Sequence, residues 1–142
     1  MQRRGNRSDS LTAARPHGDR DVRVLIVDDQ DYFRAVLREL VTATPGFAVA
    51  AEAASGEDAL DATGALSPDL VLMDVRMPGL GGIDAARALM ARFPDVLVLL
   101  VSAQELERPL TDSSGRTMLF AHKQDLRGAL LREIWDRREA AG

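Results

Sequence analysis

The sequence predicts a doubly wound α/β domain: a five-stranded parallel sheet with helices on both faces. Three observations predict it. Five short apolar runs, Val22–Val27, Phe47–Ala54, Asp69–Met73, Val96–Val101 and Thr117–Ala121, are each of strand length and rich in Val, Leu and Ile. At least three are apolar on consecutive residues rather than alternating, the mark of strands covered on both faces. Between them lie segments with helical spacing, and strand–helix alternation implies right-handed crossovers.

The elements follow in order. In Asp31–Thr44 the residues Phe33, Val36, Leu37, Leu40 and Val41 recur at helical spacing, Asp31 offers an N-cap, and Pro45-Gly46 stops the helix. Ser55 caps a second helix, Gly56–Leu66, which Gly64 interrupts and Ser67-Pro68 closes. A third runs from about Gly82 to Phe93 with Ile83, Ala86, Leu89 and Met90 on one side. The last, Asp125–Ala140, presents Leu126, Leu130, Leu131, Ile134 and Trp135. Gln104–Arg116 should hold a turn or two of helix at most, because Pro109 and Ser113-Ser114-Gly115 break it.

Residues 1–21 carry five arginines against three aspartates and show almost no apolar periodicity, so they read as a disordered basic tail before a domain at 22–142. Nothing follows the last helix, so no attached output or DNA-binding domain is expected. The 142 residues suffice to bury a core without staples. The absence of cysteine excludes disulfides, thiolate metal sites and cysteine nucleophiles. A net charge of −4 suits unaided nucleic-acid binding poorly. No apolar run approaches the roughly 20 residues of a membrane span, and no secretory signal is present.

In open α/β sheets the chemistry gathers at the C-terminal strand ends. Here those ends carry Asp28-Asp29, Asp74, Ser102 and Lys123. Three converging carboxylates repel one another unless a cation sits among them, and oxygen ligands alone select a hard ion, Mg²⁺ or Mn²⁺ in its place. A carboxylate beside such an ion and an ammonium is a competent nucleophile toward phosphorus. Asp74 suits that role, since the adjacent Asp28 and Asp29 are better placed to hold metal, and the Ser102 hydroxyl can reach a phosphoryl oxygen. Lys123 is the single lysine in a chain of 17 arginines. His122 and His17 read as incidental.

The ordered set Val-Leu-Ile-Val-Asp-Asp, Leu-Met-Asp-Val-Arg-Met-Pro-Gly, Val-Ser-Ala and Phe-Ala-His-Lys resembles the response-regulator receiver domain of two-component signalling, over about residues 22–138. The resemblance implies a flavodoxin-like sheet of order 2-1-3-4-5 and a cytoplasmic signalling switch rather than an enzyme. It implies that Asp74 accepts phosphate from a histidine kinase or phosphotransfer protein and that the domain then switches binding to a downstream target. Asp29, Asp74 and the Arg76 carbonyl would hold Mg²⁺ directly, with Asp28 acting through water. Ser102 and Lys123 would contact the phosphoryl group, and Phe120 would be the aromatic switch. The face of fourth helix, fifth strand and last helix would change on activation, with dimerisation possible.

Two departures stand against the family pattern. Gln124 follows the lysine where proline is usual, which favours a trans peptide and a reshaped loop. Gln104–Arg116 replaces the fourth helix with a loop of low local stability, expected to order only with phosphate and a partner. Competing readings are a haloacid-dehalogenase-type phosphatase with Asp29 of Asp29-Gln30-Asp31 as nucleophile, and a degenerate receiver that binds without phosphorylation. Phe33 stands where the phosphatase motif has Thr or Val, and that fold needs a longer chain. No strand leads into Gly-x-Gly-x-x-Gly, which disfavours a dinucleotide site.

Overall fold

The computed structural model describes residues 20–105, 109–112 and 114–141. The tail expected over 1–21 falls outside them except at its end. Arg20 grips Asp69 through two hydrogen bonds of 2.7 and 2.9 Å, so it belongs to the folded domain.

Strand β1 (Val22–Val27) leads to α1 (Asp31–Ala43), β2 (Phe47–Ala53), α2 (Gly56–Leu66), β3 (Leu70–Asp74), α3 (Gly82–Arg92) and β4 (Leu97–Ser102). After β5 (Leu119–His122), a 3-10 turn at Lys123–Asp125 precedes α4 (Gly128–Ala141). The five strands form one parallel sheet of order β2-β1-β3-β4-β5, as expected. No described helix is long and apolar enough to cross a membrane.

The continuous apolar runs have a direct cause. Successive side chains of a strand point to opposite faces, and both faces are covered. Val24 and Ile26 join Leu37, Val41, Leu131 and Trp135 beneath α1 and α4. Leu25 and Val27, one residue on, join Ala59, Ala85, Ala86 and Leu89 beneath α2 and α3. Small residues on α2 and α3 let those helices lie close together. At Gly56, a Cβ would come 2.6 Å from the Leu80 carbonyl oxygen and 2.9 Å from Ala85 Cβ.

Local details correct several expectations. The N-cap of α1 is Gln30, not Asp31, which is the first helical residue and turns its carboxylate to Arg34 one turn on. Ser55 does cap α2, its hydroxyl accepting from the Asp58 N–H at 3.1 Å, but the helix runs unbroken through Gly64. The buried face of α3 is Gly82, Ala85, Ala86 and Leu89, with Ile83 only half-buried. The last helix begins at Gly128 rather than Asp125: Asp125 ends the 3-10 turn, and Leu126 and Arg127 form an irregular link before the helix. Strand β5 starts two residues later than Thr117.

Between β4 and β5 no described residue is helical. The described residues just before β5 are nevertheless held by hydrogen bonds of their own. Thr111 bridges Thr117 antiparallel, the Met118 N–H donates to Leu110 at 2.7 Å, and the Asp112 N–H donates to Arg116 at 2.8 Å. Asp112 is buried, and its Oδ1 accepts from the Ser114 N–H, the Ser114 hydroxyl and the Arg116 N–H. These contacts hold its carboxyl at about 2, the Ser114 hydroxyl contributing most. A short hairpin clasped by one aspartate therefore stands where a turn or two of helix, in a loop of low local stability, was expected.

Candidate functional site

Four strand ends deliver the site to the C-terminal rim of the sheet. After β1 the chain turns at Asp28, whose Oδ1 accepts the Gln30 N–H at 2.8 Å, a side-chain turn that leaves the second carboxylate oxygen free to face inward. Asp28 is fully buried and Asp29, one residue on, is exposed. Asp74 closes β3, buried at 7% exposure. The start of α3 presses against it: a Cβ on Gly82 would lie 1.8 Å from the Asp74 carbonyl oxygen, so no other residue fits there. Ser102 closes β4, buried, its hydroxyl accepting the Gln104 N–H at 3.0 Å. Its neighbour across the sheet is His122, and the next residue of that strand's exit is Lys123.

Each of Asp28, Asp29 and Asp74 offers a carboxylate oxygen within 4.8 Å of the others. The Lys123 ammonium reaches into this group, 3.2 Å from Asp28 Oδ2 and 3.6 Å from Asp74 Oδ1. One ammonium cannot balance three carboxylates, and Asp74 shows the deficit. Its carboxyl is pushed up to about 6, chiefly by burial and then by the charge of Asp28, against the pull of Lys123 and the Arg76 backbone N–H. An all-oxygen donor set with uncompensated negative charge suits a hard divalent cation, and an exposed Asp29 leaves the site open for one.

The remaining expected residues fall nearby. Arg76 is exposed on the loop after β3. Phe120 is half-buried against the α2/α3 core and packs edge-on to His122, ring centres 5.1 Å apart. The His122 Nε2 in turn lies 3.5 Å from a carboxylate oxygen of the exposed Glu105, on the loop after β4. Among the described residues no peptide bond is cis, so the Lys123–Gln124 bond is trans. Asp31, the second acid of the phosphatase-like motif, does not join Asp29: its side chain is 91% exposed and turned to Arg34.

Two contributors escaped sequence reasoning. Arg34 donates to the Asp28 carbonyl at 2.7 Å and pins the turn after β1. Phe33 places its ring under Lys123, the ammonium 3.9 Å from the ring centre. Both lie in the first turn of α1, where the helical pattern marks one as apolar face and the other as solvent face. Only the acidic pair just before them hints at more.

A doubly wound α/β domain with an acidic, lysine-bearing pocket at the strand ends is the class that fold and site define. Residues 24–113 match the family described as the response regulator receiver domain. The chain belongs to that family. It is 43% identical over 84 residues to response regulator GacA of Pseudomonas viridiflava, covering 59% of this chain and 39% of that protein. To the transcriptional regulatory protein DegU of Brevibacillus brevis it is 36% identical over 90 residues, covering 63% and 38%. The chain thus spans about two-fifths of the length of these curated relatives. Among solved structures it resembles the receiver domain of the putative response regulator NarL from Mycobacterium tuberculosis, with TM-score 0.70, 28% identity, and 82% and 95% of the two chains covered. The response regulator domain of Thermotoga maritima CheB gives TM-score 0.64 and 27% identity, covering 86% and 96%.

Proposed function

We propose that this receiver domain takes a phosphoryl group onto Asp74 from the phosphohistidine of a histidine kinase or phosphotransfer protein, and thereby switches its binding to a downstream protein. The observation that carries the reading is the Lys123 ammonium poised between Asp28 and Asp74, at 3.2 and 3.6 Å, beside a buried carboxylate that lacks full charge compensation. A carboxylate oxygen of Asp74 attacks phosphorus. The bond from phosphorus to the donor imidazole nitrogen breaks, and the imidazole leaves with that electron pair. Asp29, Asp74 and the Arg76 carbonyl would hold a divalent cation, Mg²⁺ or Mn²⁺, with Asp28 acting through water, and the ion would neutralise phosphoryl charge. Lys123 and the Ser102 hydroxyl contact the transferred group.

The switch follows from these contacts. Ser102 now accepts the Gln104 N–H; drawn to a phosphoryl oxygen, its hydroxyl would carry the start of the β4–β5 segment with it. Phe120, at the far end of that segment, is half-buried on the edge strand of the sheet.

Incubation with acetyl phosphate and Mg²⁺ should add the mass of one phosphate, mapped to Asp74 and abolished in Asp74→Asn. Equal labelling of that variant, or label on Asp29, refutes the reading. Calorimetric titration should show Asp29→Asn weakening Mg²⁺ binding more than Asp28→Asn, while Lys123→Ala leaves it intact or improved. Wild-type metal affinity in Asp29→Asn contradicts the ligand assignment.

A further inference from the structure

Lys123 must hold its ammonium still where two carboxylates and an incoming phosphoryl group meet, yet a lysine side chain is long and costly to order. Its third anchor is not a charge. The ring of Phe33 lies 3.9 Å from Nζ, centre to ammonium, and the lysine side chain is only 15% exposed. Phe33 sits in the first turn of α1, packed against the core that α1 and α4 share, one turn before the buried Leu37. The ring is thereby fixed by a helix, whereas Lys123 arrives from the end of β5.

We infer that Phe33 is a positioning residue for phosphoryl transfer, its π face holding the Lys123 ammonium between Asp28 and Asp74. The inference rests on the phosphoacceptor reading of this site. An aromatic face attracts an ammonium within about 6 Å of its centre, the more so where water is excluded. Unlike the two carboxylates, the ring neither titrates nor turns to another cation. The ammonium therefore keeps its place when Asp28 and Asp74 redirect their charge. Apolar packing alone would be served by leucine at position 33. The difference between phenylalanine and leucine here is the π face.

Lys123 is the only lysine in the chain, so ¹³C,¹⁵N-lysine labelling yields a single side-chain signal. In the wild type the ε-methylene protons should be displaced upfield by the ring current. Phe33→Leu should return them to the free-lysine position, and Phe33→Tyr should restore the displacement. At saturating Mg²⁺, labelling of Asp74 by acetyl phosphate should slow roughly two- to tenfold in Phe33→Leu and stay near wild type in Phe33→Tyr. Mg²⁺ affinity should be the same in all three, which separates positioning from general damage to the pocket. A wild-type ε-methylene at the free-lysine position overturns the inference even if Phe33→Leu fails to fold. So does a Phe33→Leu protein that labels at the wild-type rate. Failure of the wild type itself to label at Asp74 sinks the phosphoacceptor reading and this one with it, whereas normal wild-type labelling with an indifferent Phe33→Leu sinks the positioning role alone.

Discussion

Replacing Asp74 by asparagine should stabilise the metal-free domain at neutral pH, although it destroys the proposed phosphoacceptor. Burial and the neighbouring Asp28 raise the Asp74 carboxyl from its ordinary 3.8 to about 6. Taken whole, that displacement penalises the charged form by about 3 kcal/mol. The sign follows from linkage. A raised folded-state pKa means that the folded chain binds the proton more tightly than the unfolded one. The associated stability is fully present below 3.8 and is lost as pH rises through about 6. Asparagine keeps the shape and discards the charge. Lys123 retains Asp28 as its partner at 3.2 Å, so the variant leaves no buried ammonium stranded. Allowing for local relaxation, Asp74→Asn should gain about 1–3 kcal/mol over wild type at pH 7.5 in chelator. The gain should shrink below pH 6 and vanish near pH 4. Urea denaturation at several pH values reads this directly, and added Mg²⁺ should stabilise wild type more than the variant. A variant that is neutral or less stable at pH 7.5 without metal would refute the account of a charge deficit in the pocket.

Gly82→Ala should cost about 2–4 kcal/mol and disturb Asp74, because its new Cβ would stand 1.8 Å from the Asp74 carbonyl oxygen and 2.9 Å from Val75 Cα; denaturant midpoints and Asp74 labelling should fall together, and an undisturbed midpoint counts against the close packing. Asp112→Ala should open the hairpin before β5 while leaving the sheet folded, seen as faster amide exchange at Ser114, Arg116 and Met118; unchanged exchange would show that the clasp is not Asp112. In the wild type the same hairpin should hold above pH 4 and loosen as pH falls toward about 2, since a lowered carboxyl pKa gives stability that is lost only on protonation.

Much of this protein was legible in its residues. The five parallel strands follow from runs such as Leu70–Met73, whose four successive apolar side chains must be covered on both faces. The acidic pair, Asp74, Ser102 and Lys123 could be placed on one rim, because parallel topology sends every strand's C-terminal end to the same edge. Helix boundaries slipped where the competing signals were local and weak. Asp31 and Gln30 differ little as starting points for α1, and Gly64 costs only about 1 kcal/mol in a helix that packing secures.

What tertiary structure alone decided is which side chains meet. Phe33 and Lys123 are 90 residues apart in the chain, and nothing in either neighbourhood announces that ring and ammonium will lie 3.9 Å apart. Arg34 reads as a solvent-face residue until the turn after β1 brings the Asp28 carbonyl within 2.7 Å of it. Pro109 and the Ser-Ser-Gly run correctly forbade a long helix between β4 and β5, but propensity could not reveal the hairpin that took its place. That hairpin depends on burying one carboxylate, Asp112, where two amides and a hydroxyl converge on it. Periodicity reports which face of an element is covered. Distances between distant residues arise only when helices and strands pack, and the pocket's chemistry is made of those distances.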